Sequence, residues 1–420
     1  MSATCTVAAA DPAVKNLIFQ EDPRRIFILR PDHLGDLILF SGALRHIRNR
    51  WPSAHITLCV RSFGGGLFAH CPYVDKLIPY EPLRWMGKYP WPRFVSDSEF
   101  LRKILQHACS AASPTDEYDL ALLPVIAPLA NYHRVMALIR AHSRVGVFGR
   151  LENQADREER QYRVVYSAQM DASQWPTDFP EMEANRLFLK YLGMNVDGAT
   201  VWPEFWTKPA DVEAAAKLIA GLGGQRVVGI APGAVLPLGK QLAPEWYLKV
   251  LEIAGNKNLG FALLGGNNDI AICRELELCL RQLDGKRTVV NLAGQTSVLQ
   301  LIECIRKCDV VFCPDAAPLH IATALRKPVL GVMGGGHGSR FYPWGDPNLS
   351  RVVRKNMDCY GCNWECKYQT MRCIQEIPPM DAARELLCLL EGISRPDVPG
   401  ESSRQAQSSD SNQPRVIHGH

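Results

Sequence analysis

At 420 residues the chain exceeds one ordinary domain, so two domains are expected. Its 47% hydrophobic and 21% charged residues are those of a soluble globular protein. A formal net charge of +4 argues against a nucleic-acid partner, which calls for a concentrated basic stripe.

Residues 1–23 lack periodicity and read as a flexible N-terminal lead. They carry no basic segment ahead of an apolar run, so no secretory signal is expected. Arg25–Arg30 has strand length and ends in the turn Pro31-Asp32-His33-Leu34-Gly35-Asp36. From Leu37 to Arg50 the apolar residues recur at helical spacing, Trp51-Pro52 stops them, and His55–Val60 reads as the next strand. A strand–helix–strand unit of this length implies a parallel sheet. Tyr118–Val125 and Arg144–Val147 add strands. The longest apolar stretch, Leu120–Ala130, contains Pro124 and Pro128 and is too short to span a membrane.

The pattern then restarts. Strands are expected at Arg226–Ala231, Leu259–Leu264, Thr288–Leu292, Asp309–Cys313 and Pro328–Met333. Helices are expected at Pro244–Ala254, Asp269–Leu283, Ser297–Arg306, Pro318–Leu325 and Asp381–Leu390. The fold class is therefore α/β with two Rossmann-like domains, spanning 24–205 and 206–378, that face a central ligand-binding cleft. A helix over 379–394 and a polar, disordered tail over 395–420 complete the reading.

The strongest local signal is Asp315-Ala316-Ala317-Pro318-Leu319-His320, which leaves a buried strand and opens a helix. Small residues let a ligand approach the backbone, and the free N–H groups of the turn favour a phosphate. A plain helix capped by Asp315 explains the same residues. The segment resembles the Asp-Ser-Gly-Pro-x-His signature of glycosyltransferase family 9, the ADP-heptose:lipopolysaccharide heptosyltransferases. Four further stretches resemble that family in the same order. They are the Gly35-Asp36 turn; Pro232-Gly233-Ala234 with Lys240 and Pro244-Glu245; Leu263-Leu264-Gly265-Gly266; and Asn291-Leu292-Ala293-Gly294-Gln295-Thr296-Ser297. The sequence departs from the pattern in having Ala316-Ala317 for Ser-Gly and Leu242-Ala243 for Trp-Pro.

The resemblance implies a cytoplasmic, inverting glycosyltransferase of GT-B type that needs no cofactor for catalysis. Its partners would be ADP-heptose and a glycan or glycolipid acceptor, with peripheral contact at the inner membrane surface. Displacing a nucleoside diphosphate needs a base for the acceptor hydroxyl and positive charge for the leaving pyrophosphate. Asp36 is the expected base, or else complements the N-terminal charge of its helix; Lys240 is the expected pyrophosphate partner, or else an ordinary solvated lysine. Gly233, Gly265, Asp269, Gly294, Thr296, Asp315, Ala316, Ala317 and His320 are the remaining expected donor contacts, although Asp269 and His320 suit structural roles equally well. Arg61, with Arg84 and Lys88 in the aromatic and cationic stretch Leu83–Arg93, is the expected acceptor grip, although a plain exposed loop explains that stretch equally well. A GT-B sugar-nucleotide epimerase and a non-catalytic nucleotide-sugar-binding module are the alternatives; a protein hydroxyl also fits as acceptor.

Of 14 cysteines, ten lie scattered in apolar segments and read as reduced, buried thiols. The other four, Cys359, Cys362, Cys366 and Cys373, are spaced to hold one structural zinc or iron ion, or else pack as free thiols.

Overall fold

A computed structural model describes residues 22–80, 117–149, 162–197, 201–223, 225–234, 239–255, 258–283, 288–392 and 415–419. The chain divides between Trp206 and Thr207 into two compact units. Among the described residues no helix is long and apolar enough to cross a membrane.

The N-terminal unit is built on a six-stranded sheet. Its strands are β1 (Arg25–Arg30), β2 (His55–Arg61), β3 (Lys76–Tyr80), β4 (Tyr118–Leu123), β5 (Ala141–Phe148) and β6 (Ala168–Asp171). Their order is β3-β2-β1-β4-β5-β6, with every pairing parallel. The order reverses direction between β1 and β4, which makes the C-terminal edge of those strands the topological switch point. Phe27, Leu29, Ala121 and Leu123 are fully buried there, as strands covered on both faces require.

The periodic stretch after β1 forms two helices, α1 (Leu34–Ser41) and α2 (Ala43–Arg50), rather than one. Gly42 marks the break. A Cβ at this position would lie 2.1 Å from the carbonyl oxygen of Trp202, so only glycine admits the returning chain. Helices α3 (Ala130–Leu138) and α4 (Glu181–Tyr191) follow β4 and β6.

The C-terminal unit carries β7 (Arg226–Ile230), β8 (Leu259–Leu263), β9 (Val289–Asn291), β10 (Val310–Pro314), β11 (Val329–Val332), β12 (Ser350–Lys355) and β13 (Arg415–Gly419). The sheet runs β13-β12-β11-β10-β7-β8-β9, again all parallel. Its switch point lies between β7 and β10. Its longer helices among the described residues are α5 (Pro209–Leu218), α6 (Pro244–Ala254), α7 (Ile270–Leu283), α8 (Val298–Lys307), α9 (Ala317–Ala324) and α10 (Pro379–Glu391). Helix α10 packs against α6, and both bury apolar faces in the core formed by β7, β8, β10 and β11.

The reading of the tail changes as well. The tail was expected to be disordered throughout, yet Arg415–Gly419 adds an edge strand to β12. Its Val416-Ile417 pair is β-branched and suits an extended backbone.

Candidate active site

In the N-terminal unit the site is built at the end of β1. Arg30 is the last residue of that strand and is only 1% exposed. Its Nε meets Asp32 at 2.8 Å and its Nη2 meets Glu181 of α4 at 2.7 Å. Nη1 donates to the carbonyl oxygen of Pro124, just beyond β4. Burial works against the guanidinium charge, but Asp32, Glu181 and Asp36 outweigh it and hold its pKa above the ordinary value. One buried cation thus ties both sides of the switch point together.

Asp36 lies in the first turn of α1, half-buried, with Arg30 and Tyr132 in its electrostatic surroundings. A carboxylate in a first helical turn is favoured by the helix dipole. Arg61, at the end of β2, donates through Nε to the carbonyl oxygen of Pro31 at 2.6 Å and also bonds Tyr132. Burial and the nearby Asp32 charge push the Tyr132 phenol up to about 12, with Arg61 opposing. The structure therefore brings Asp36 and Arg61 to one strand edge. Arg84 and Lys88 lie outside the described residues.

In the C-terminal unit the central feature is an ion pair across the switch point. Lys240 follows β7 and Asp315 follows β10. Lys240 Nζ donates to Asp315 Oδ2 at 2.9 Å, with side-chain exposures of 10% and 11%. Burial pushes the Asp315 carboxyl upward, but the Lys240 charge and hydrogen bond, helped by His320 and His337, hold it below the usual carboxylate range. Asp315 is therefore not the cap of α9. The N-cap is Ala316, which uses no side chain.

The departure at Ala316-Ala317 carries no strain. Ala316 has φ −152°, which alanine adopts freely, and Ala317 begins the helix with Pro318 in its first turn. No glycine is needed. The free N–H groups at the start of this eight-residue helix remain available to an anion.

Three other expected donor residues converge beside β7 and β8. A Cβ on Gly233 would lie 2.1 Å from Asp269 Oδ1, and one on Gly265 would lie 2.6 Å from Asp269 Cβ. Asp269 Oδ2 accepts the Gly266 N–H at 2.8 Å, so this carboxylate closes its own turn. Burial raises its pKa while that hydrogen bond opposes the rise. Gly294 has φ +71°, a left-handed backbone that favours glycine. Thr296 is half-exposed and precedes Ser297, whose Oγ caps α8 by accepting the Gln300 N–H at 3.2 Å. Part of that motif is thus a capping box. His320 is 2% exposed, one turn into α9, with its ring edge-on to Phe341.

The four clustered cysteines line one small cavity with Trp364, Met371 and Arg372. Among the described residues, however, no group of three or more His, Cys, Asp or Glu side chains is arranged to hold a metal ion. Burial and neighbouring thiols raise the Cys362 and Cys373 pKa values. Cys366 is exposed and donates to the Thr370 carbonyl oxygen at 3.7 Å. The four thiols expected to hold zinc or iron thus share one cavity without forming a metal-holding group among the described residues. Sequence reading also missed His337 and Trp364, which lie against the Lys240–Asp315 pair. Only the glycine run ahead of His337 could have drawn attention to them.

Two Rossmann-like units, each with charged groups at its strand ends, are the architecture of the GT-B type. Residues 153–370, just over half the chain, match the family described as glycosyltransferase family 9 (heptosyltransferase). The chain belongs to that family. It is 26% identical to the lipopolysaccharide core heptosyltransferase OpsX of Haemophilus influenzae, covering 80% of this chain and 86% of that protein. It is 22% identical to the lipooligosaccharide heptosyltransferase 2 of Haemophilus ducreyi, covering 72% and 81%. The solved structure of the Escherichia coli ADP-heptose LPS heptosyltransferase II has the same fold. It has a TM-score of 0.63 and 19% identity, with 87% of this chain and 98% of that one covered.

Proposed function

We propose that this chain transfers a heptose from an ADP-activated donor to a hydroxyl of a lipopolysaccharide-type glycan, in the cytoplasm and with inversion at the anomeric carbon. The observation that carries the reading is the buried Lys240–Asp315 pair at the switch point of a family 9 chain. The names of its relatives, heptosyltransferases of lipopolysaccharide and lipooligosaccharide, support the sugar and the acceptor class. The E. coli enzyme named for ADP-heptose supports the nucleotide.

In this reading Asp36 takes the proton from the acceptor hydroxyl as its oxygen bonds to the anomeric carbon. The bond from that carbon to the pyrophosphate oxygen breaks, and its electron pair leaves with ADP. A single displacement of this kind inverts the centre. Lys240 has three N–H donors, so it can keep Asp315 while meeting a phosphate oxygen. The N–H groups at Ala316 and Ala317 share the remaining charge, and Asp315 and His320 face the sugar end. Arg61, with Arg84 and Lys88, steers an anionic acceptor at the inner membrane surface. The step uses side chains and backbone and calls on no cofactor.

Thermal-shift titration tests the donor. A ligand at a hundred times its Kd stabilises a fold by roughly 2.7 kcal/mol. ADP is expected to raise the melting temperature more than equal concentrations of UDP or GDP, and Lys240→Ala to flatten the ADP response. Equal stabilisation by UDP would overturn the adenine assignment.

A further inference from the structure

The segment after β12 bears the four cysteines, and its contacts converge on Lys240. Trp364 places its ring centroid 4.0 Å from Lys240 Nζ, which also pairs with the Asp315 carboxylate at 2.9 Å. An ammonium at this distance from an indole face is attracted by the ring quadrupole, and tryptophan is the strongest such partner. The Trp364 Nε1–H donates to His337 Nδ1 at 3.2 Å, which fixes the ring's rotation.

The surrounding backbone is shaped to this ring. Gly334-Gly335-Gly336 follows β11 and is buried. A Cβ on Gly336 would lie 2.2 Å from the Trp364 indole, and one on Gly335 would lie 2.0 Å from Tyr360. The N–H groups of Gly361 and Asn363 donate to the carbonyl oxygens of Gly335 and Gly336, each at 2.7 Å. Asn363 and Trp364 are held at φ +51° and +65°, a left-handed backbone that side chains other than glycine rarely adopt. Such outliers persist only where surrounding structure over-determines them, and they gather at functional sites. The same segment also holds the Lys240 loop. Gln375 Nε2 donates to the carbonyl oxygens of Gly239 and Gln241, and Met371 packs on Gly239, itself at φ +61°.

We propose that Trp364 is a positioning residue of the donor site: its ring and Asp315 together hold the Lys240 ammonium in place for the leaving pyrophosphate. The inference rests on the donor-site reading of Lys240 given above. It also gives the glycine run and the cysteine-bearing segment one task. The glycines clear space for the ring, and the segment fixes it over the cation.

The test is a double-mutant cycle read as ADP affinity by calorimetry, with melting temperature as the control for folding. Trp364→Leu is expected to weaken ADP about 3- to 30-fold, the range that a cation–π contact of this kind supports. Trp364→Phe keeps an aromatic face and should recover most of that loss. Trp364→Met replaces the leucine variant if that chain does not fold. Lys240→Met with Trp364→Leu should bind ADP no more weakly than Lys240→Met alone, because the ring acts through the lysine. Wild-type affinity in Trp364→Leu, or additive losses in the double variant, would overturn the positioning role while Lys240→Met still weakens ADP. Should Lys240→Met bind ADP as the wild type does, the donor-site reading falls and the role of Trp364 with it.

Discussion

Replacing Lys240 by methionine keeps the apolar stem and removes the charge, which isolates what the ion pair contributes to the fold. Asp315 would then be a carboxylate about one-tenth exposed with its main partner gone. Breaking a buried pair in this way costs roughly 3–5 kcal/mol, and partial exposure of both groups points to about 3 kcal/mol. For a unit of this size that corresponds to a fall in melting temperature of roughly 6–12 °C. The pH dependence has a definite sign. In the native protein the Asp315 pKa lies below its unfolded value, so the pair's contribution is complete above about pH 4 and fades as pH falls through the folded pKa. Without Lys240 the largest influence left is burial, which pushes the carboxyl upward against His320 and His337 and is expected to take its pKa above the unfolded value. A raised folded pKa removes stability as pH rises. Differential scanning calorimetry at pH 4.5 and 7.5 should therefore show the larger deficit at 7.5. Adding Asp315→Asn should restore most of it. An equal deficit at both pH values, or no recovery in the double variant, would refute the reasoning.

Asp36→Asn is expected to lower kcat by on the order of a hundredfold or more, the usual cost of losing a general base, while ADP affinity stays within about twofold. More than about a tenth of wild-type kcat in steady-state assays would remove Asp36 from that role. Gly42→Ala forces a Cβ to within 2.1 Å of the Trp202 carbonyl oxygen, a backbone atom that cannot rotate away. Urea melts should show about 1–3 kcal/mol of destabilisation, and no change would mean the two segments separate easily.

Much of the C-terminal unit was legible because its strands and helices alternate with clean apolar periods. Helix α6 begins and ends where expected, since Pro244 opens it and Gly255, at φ +61°, closes it. Strand β12 was missed because its sequence, Ser-Arg-Val-Val-Arg-Lys, reads as polar surface. Arg351 is nevertheless 1% exposed, paired at 3.3 Å with the equally buried Glu385 of α10. Arg30 and Glu181 hide in the same way, 151 residues apart in sequence. Local pattern cannot reveal a charge whose partner is supplied by tertiary structure.

The candidate site divides along the same line. Asp36, Gly233, Lys240 and Asp315 sit in short motifs at strand ends, where small and charged residues stand out against apolar runs. Trp364 and His337 become visible only once β11 and β12 lie side by side and bring the segments that follow them together. The cysteine spacing was legible as a pattern, but spacing alone does not fix where the thiols point.

The most direct measurement is transfer itself. The purified chain is incubated with ADP-heptose, or with UDP- or GDP-activated hexoses, and a heptose-deficient glycolipid extract, and products are identified by mass spectrometry. The account predicts addition of a single heptose from ADP-heptose, release of ADP in equal amount, and no conversion of the donor when acceptor is omitted. Transfer of a hexose from UDP or GDP donors, epimerised donor without acceptor, or no product from any donor would contradict it.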